Sequence, residues 1–139
     1  MKIPFVLLFS LFGALFSIPP ERSAVYMMNQ QLVWVRDHSR YEDESALKSL
    51  FDDYPKEFNT EQKWPKVMSI LKSFEFTTLD AKYLSFDSFE EATELSGTVS
   101  FHVADKNATM EIRLRHDMGS TTEWKMEKSK FWSLLAGLV

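Results

Sequence analysis

Three side chains are candidates for catalysis: His116, Asp53 and Tyr54. His116 continues the alternation of the apolar residues Met110 and Leu114, so in a strand it would share their inward face. An imidazole at the mouth of an apolar cavity can move a proton as a general acid or base. The competing explanation is a histidine at a strand end beside a turn.

The other two histidines have simpler structural explanations. His102 lies between Phe101 and Val103, so the strand period places it on the opposite, solvent side. His38 follows Asp37 near a predicted helix end, where a protonated imidazole favours the negative end of the helix dipole. We expect an exposed His102 and a capping His38, neither of them catalytic.

No metal or cofactor site is expected. The three histidines are far apart, and no His-Glu-x-x-His or calcium-loop spacing occurs. The chain has no cysteine, which excludes thiolate ligands, disulfides and a cysteine nucleophile. The chain has four glycines, too few and too dispersed to form the glycine-rich pattern of a phosphate-binding loop or a dinucleotide fingerprint.

A second group of residues could line a ligand cavity. Methionine adapts to irregular shapes and tryptophan offers a large apolar surface, so such residues suit a small apolar ligand. The same side chains could instead fill the interior as core. The group comprises Met68, Met110, Ile112, Trp124 and Met126.

The first 17 residues have the pattern of a secretory signal peptide. Lys2 supplies a positive charge, an apolar run extends from Ile3 to Phe16, and the small Ser17 suits the position before cleavage. A transmembrane anchor is the alternative, but it needs about 20 apolar residues, and the stretch from Ile3 to Ile18, with its two serines, has about 16. We expect a single extracellular domain over residues 18–139, with no membrane contact after cleavage.

Composition restricts the partners. The chain carries 16 basic and 20 acidic residues, a net charge of −4 and a pI near 5.4, which argues against nucleic acid as a partner. A chain of this length can bury a core without disulfides. The sequon Asn107-Ala108-Thr109 falls in a predicted exposed hairpin turn, Ala104–Asn107, so Asn107 is a candidate glycosylation site.

Helical periodicity marks the first half of the mature chain. Apolar residues at spacings of three and four predict a helix from Glu21 to His38. Two further apolar stripes predict a helix from Glu44 to Tyr54, which Pro55 ends, and another from Thr60 or Lys63 to Ser73.

After Ser73 the hydrophobic period changes to two. Three alternating segments separated by turns predict an antiparallel meander with one apolar and one polar face. The apolar tail Phe131–Val139 is too short to span a bilayer, so we expect it to pack on the domain, with contact to a second chain as the alternative. The strand segments are 95–103, 110–114 and 124–126, after shorter alternation from Phe74 and near Leu84, Phe86 and Phe89.

Three helices before an antiparallel sheet must cover its apolar face, which is an α+β two-layer architecture. The pattern resembles the nuclear transport factor 2-like superfamily, a cone-shaped, cystatin-like α+β roll, over roughly residues 21–132. It is most similar to small secreted animal members of undefined activity. The resemblance implies three N-terminal helices on a curved sheet with a cavity between them. It rests on helical segments 45–53 and 67–73, strands 97–103 and 108–115, and Trp124-Lys125-Met126.

The superfamily includes ketosteroid isomerases, scytalone dehydratases, polyketide cyclases and many non-catalytic association domains, so its fold does not define an activity. The leading hypothesis is a secreted, non-catalytic domain that binds a small apolar ligand or an extracellular protein in the helix–sheet cavity. One alternative is an isomerase or dehydratase that uses His116. Another is a cystatin-like protease inhibitor, suggested by residues 31–35 (Gln-Leu-Val-Trp-Val), although the glycine of an inhibitory loop is missing and a helix is predicted there.

Overall fold

The computed structural model describes residues 23–52, 54–58, 63–84, 93–127 and 129–138. Within these ranges, helices pack on a four-stranded antiparallel sheet, which confirms the predicted α+β class. The helices are α1 (Ala24–Arg40), α2 (Glu44–Ser49), α3 (Lys63–Leu71) and α4 (Phe131–Ala136), with a 3-10 turn at Lys56–Phe58. The strands are β1 (Glu75–Tyr83), β2 (Glu94–Val103), β3 (Lys106–His116) and β4 (Trp124–Met126), in that order across the sheet.

Helix α1 begins at a side-chain cap and buries one apolar stripe. Ser23 Oγ accepts the Tyr26 N–H at 3.1 Å. Met28, Leu32 and Val35 follow at helical spacing and are fully buried. The stripe therefore holds α1 against the sheet and the other helices.

Helix α2 ends at Ser49, so the prediction that it continues to Tyr54 is wrong. The Met126 N–H donates to Leu50 O at 2.7 Å, and the Asp52 N–H donates to Met126 O at 2.8 Å. The backbone after Ser49 thus pairs with β4 instead of continuing the helix. Tertiary pairing decides the helix boundary, not Pro55.

The predicted meander of β2, β3 and β4 is confirmed, but its first turn is tighter than expected. Val103 pairs with Lys106, so the loop holds only Ala104 and Asp105, with Ala104 at a φ of 54°. Asn107 consequently lies in β3, and its predicted place in the turn is wrong. It is exposed on the polar face of the sheet.

Strand β1 changes parity in its middle. A register shift between Thr78 and Asp80 leaves Leu79 59% exposed. Opposite this bulge, Gly97 lies under α1, where an added Cβ would be 2.8 Å from Asp80 O and 3.1 Å from Met28 Cε. Most of the predicted strand near Leu84 falls in residues 85–92, outside the described residues.

Helix α4 packs into the interior, which confirms the prediction for the apolar tail. Phe131 and Leu135 are fully buried, and Trp132 is 5% exposed. The Phe131 ring centroid lies 5.3 Å from that of Phe101 and 6.4 Å from that of Phe74. The last helix therefore contributes core to the layer between helices and sheet.

Candidate functional site

The five predicted ligand-lining residues come together, but as members of the common core. Their exposed fractions range from 0% to 8%, and all belong to one cluster of buried apolar side chains. This arrangement favours the core explanation that the sequence left open, because packed side chains must move before a ligand can enter. The residues are Met68, Met110, Ile112, Trp124 and Met126.

His116 stands at the exposed end of β3. Its ring meets that of Trp124 edge-on with centroids 5.4 Å apart, and its backbone N–H donates to Thr93 O at 2.8 Å. Tyr54 lies in another part of the fold, where it is half-buried against Trp64. Asp53 is outside the described residues. Among the described residues, the two remaining candidates, His116 and Tyr54, therefore form no proton-transfer pair.

Tyr54 belongs to an aromatic cluster beside α3 and α4. Its ring centroid is 5.3 Å from Trp64 and 6.4 Å from Trp132, and Lys48 Nζ lies 5.1 Å from the Trp64 ring centroid. Trp64 Nε1 is buried without a hydrogen-bond acceptor. The contacts around Tyr54 are those of a packing residue, because its ring and the two indoles all contact one another.

Asp52 takes part in a surface ion cluster rather than in an interior site. Arg115 Nη2 lies 2.6 Å from Asp52 Oδ1 and 3.2 Å from Asp117 Oδ2. The Asp52 hydrogen bond raises the pKa of Arg115, and the Gly119 N–H, which donates at 2.8 Å, lowers the pKa of Asp117. Arg115 and Asp117 are stabilised in their charged forms, which suits bracing the β3–β4 loop and not proton transfer.

His38 lies in the last turn of α1, as predicted, but its surroundings disfavour the protonated form. It is 8% exposed, and burial lowers its pKa against the opposing effects of Asp43 and Asp37. His38 Nε2 lies 2.9 Å from Thr121 Oγ1 in the β3–β4 loop, and the ring contacts Trp34. The neutral imidazole therefore joins this loop to α1. His102 is exposed, as predicted.

The sequence did not indicate an open stretch of the sheet that lies along β3. The His116 N–H bonds to the β2 side, whereas Arg113 O accepts the Glu127 N–H at 2.9 Å on the other side. Since strand backbone groups alternate in direction, the odd-numbered residues of β3 point their N–H and C=O away from β2. Along β3, strand β4 pairs with Leu114–His116. On its other side, Met126 of β4 bridges to Phe51.

The backbone of residues 107–111 on the side away from β2, here termed the free edge, has no strand partner within the described ranges. A cleft of about 380 Å³ opens beside it, between β3 and the chain that leads to α4. The signal in the sequence is a length mismatch, since three alternating residues in β4 face eleven in β3. The cleft is lined by Thr109, Met110, Glu111, Arg113, Ser129 and Lys130.

The segment that suggested a protease inhibitor forms part of α1. Gln31, Leu32 and Val35 are buried there, so the segment is not displayed as a loop. Among the described residues, no three histidine or acidic side chains group as metal ligands. None of the helices within those ranges has the length and apolarity needed to cross a bilayer.

Comparisons with protein-family models, curated proteins and solved structures found no match for the chain.

Proposed function

We propose that the chain is a secreted, non-catalytic binding domain whose partner is an extended segment of an extracellular protein. The segment adds to the sheet along the free edge. The observation that carries this proposal is the free edge beside the 380 Å³ cleft, because the outward backbone groups of residues 107–111 have no strand partner within the described ranges. An added strand gains its affinity from main-chain hydrogen bonds and its specificity from the side chains around it.

The lining of the cleft suits a mostly polar partner segment that makes one apolar contact, with Met110. Met110 is 8% exposed at the cleft, while Arg113 and Lys130 supply positive charge and Glu111 negative charge. Arg113 Nε lies 3.6 Å from Glu111 Oε1, so the acidic group already has a cation beside it. A segment with an acidic side chain opposite Lys130 complements this surface.

The other functions have less support. A small apolar ligand needs the five core residues to separate, and an isomerase or dehydratase needs His116 to meet an acid or a phenol inside the fold. The secreted location rests on the pattern of the first 17 residues. We also propose a nuclear transport factor 2-like, cone-shaped relationship, supported by helices that precede and cover an antiparallel sheet.

A proline on the free edge tests the binding mode. The Glu111 N–H points away from β2, so Glu111→Pro removes an outward donor and leaves the β2–β3 ladder intact. Ten-residue peptides selected from a displayed random library against the wild-type protein serve as probes. We expect Glu111→Pro to weaken their binding at least tenfold, while Glu111→Ala, which keeps the N–H, binds within a few-fold of wild type.

Unchanged affinity in a folded Glu111→Pro protein would overturn strand addition, as would a library that yields no binder. Melting temperatures of both variants verify folding. Secretion is tested separately by expressing the full chain in animal cells and sequencing the protein recovered from the medium. The expected first residue is Ile18, and retention of the whole chain inside the cell would contradict the secreted location.

A further inference from the structure

We infer that Asn107 carries an N-linked glycan, mounted on the polar face of the β2–β3 hairpin at one end of the free edge. The inference rests on the proposed entry into the secretory pathway and extends it to a modification site. Asn107 and Thr109, the two recognised residues of the sequon, are both exposed. They are two residues apart in β3 and so face the same side of the sheet.

The hydrogen bonding of the Asn107 amide leaves its reactive atom available. Asn107 Oδ1 lies 2.6 Å from His102 Nδ1, on the residue directly opposite in β2. A carbonyl oxygen only accepts, so the His102 Nδ1–H donates to it. Nδ2 is therefore the end of the amide that is free of this contact, and Nδ2 is the atom that carries the sugar.

The modification is compatible with the observed contact. A bond forms between Nδ2 and the anomeric carbon of the first sugar, while the bond from that carbon to the pyrophosphate of a lipid-linked oligosaccharide donor breaks. Nδ2 loses one proton. Oδ1 keeps its lone pairs, so the hydrogen bond from His102 persists and holds the glycosylated side chain in its direction.

The surface beside Asn107 can receive the first sugar. A shallow, open cleft of about 110 Å³ adjoins Asn107 on the same face of the sheet, and hydroxyl and carboxylate side chains contribute to its lining. Sugar hydroxyls bond well to such groups. The lining residues are Glu75, Phe76, Thr77, Ser100, Phe101, His102 and Asn107.

The glycan also crowds the hairpin end of the free edge and leaves the part beside the cleft, at Thr109–Glu111, open. Asn107 is at the hairpin end, and Arg113 is six residues along β3, about 20 Å away at the rise of an extended strand. A glycan on Asn107 crowds the hairpin end against pairing with a second copy of the chain, the usual hazard of an open edge. The cleft beside Arg113 stays accessible to a partner segment.

Translation of the full chain in the presence of endoplasmic reticulum microsomes tests the inference. We expect a mass increase that peptide N-glycosidase removes, with conversion of Asn107 to aspartate in the released peptide. Thr109→Ala should abolish the increase, and Thr109→Ser should retain it because serine also completes a sequon. Both variants change the same exposed side chain, so we expect both proteins to fold, and a difference in glycosylation then reports on the sequon.

Protease protection separates this inference from the proposed secretion. A chain that is protected inside the microsomes and yet unmodified would overturn the glycan and leave secretion standing. A chain that remains accessible to protease would overturn both. A glycan that persists in Thr109→Ala would place the modification at another residue and would also overturn the inference.

Discussion

The interior has two halves that are held together differently. The aromatic half lies where α4 meets β1 and β2, with Phe131 against Phe74 and Phe101. The hydrogen-bonded half lies under β4, where the buried Gln31 of α1 donates from Nε2 to Leu50 O and to Trp124 O, each at 3.0 Å. Apolar contact dominates the first half, and directional bonds organise the second.

The difference follows from what each half must hold. Helix α4 presents three large apolar side chains, and their burial provides the main driving force for docking it. Strand β4 has three residues and little ladder of its own. Gln31 and the Thr122 hydroxyl, which donates to Gln31 Oε1 at 2.5 Å, fix its position against α1 and the end of α2. Short strands need such bonds because burial alone does not set register.

The largest effect is expected in the aromatic half. Phe131→Ala removes a fully buried ring that contacts four others, and we expect the free energy of unfolding to fall by about 3–5 kcal/mol. Urea denaturation measures it. Phe131→Leu, which keeps most of the volume, should lose clearly less. Equal losses in the two variants would contradict the importance of packing volume at this position.

A substitution at Gly97 tests how closely β2 packs against β1 and α1. In Gly97→Ala the new Cβ would lie 2.8 Å from Asp80 O, which is backbone and cannot swing away, so we expect a loss of about 1–3 kcal/mol. Gly137→Ala is the matched control, because the nearest atom there is 3.7 Å from the added Cβ. Thermal unfolding compares the two. A Gly97→Ala protein as stable as Gly137→Ala would show that β1 and α1 can move apart.

Gln31→Met tests the hydrogen-bonded half at nearly constant volume. It removes three hydrogen bonds, two to backbone carbonyls and one from the Thr122 hydroxyl. Leu50 O keeps the Met126 N–H as a donor, and the released Thr122 hydroxyl can donate to Trp124 O, so we expect a loss of about 1–2 kcal/mol in the free energy of unfolding. Faster amide hydrogen exchange should appear at Met126 and not at Phe101. Gln30→Met, on the half-buried side of α1, is the control. Faster exchange in both halves would contradict their independence.

The smallest expected effect is the pH dependence from His38. Burial lowers its pKa below the ordinary value of 6.5, so the unfolded chain binds more protons than the folded chain just below that value. The contribution of His38 to the free energy of unfolding should therefore be fully present above about pH 7. It should decrease as the pH falls through 6.5 toward the folded-state pKa. Urea midpoints between pH 5 and 8 measure this, and the slope should diminish in His38→Gln. A stability that increases as the pH falls through 6.5 would refute the assignment.

The parts of the fold that were predictable depend on local periodicity. Val99 and Ile112 are buried while Thr98 and Glu111 face outward, as their alternation predicts, and Met28 and Leu32 mark the buried face of α1. The candidate site was less predictable. His116 keeps the parity of its strand, yet the strand ends there and leaves the ring exposed.

Residue type and spacing in this chain determine which segments form helices and strands and which face of each is apolar, because those properties depend on neighbours a few residues apart. Only the tertiary structure decides that α2 stops at Ser49 and that the free edge has no strand partner within the described ranges. Each of these outcomes is a competition for backbone bonds or buried area between segments distant in sequence. Local patterns carry no information about such competitors.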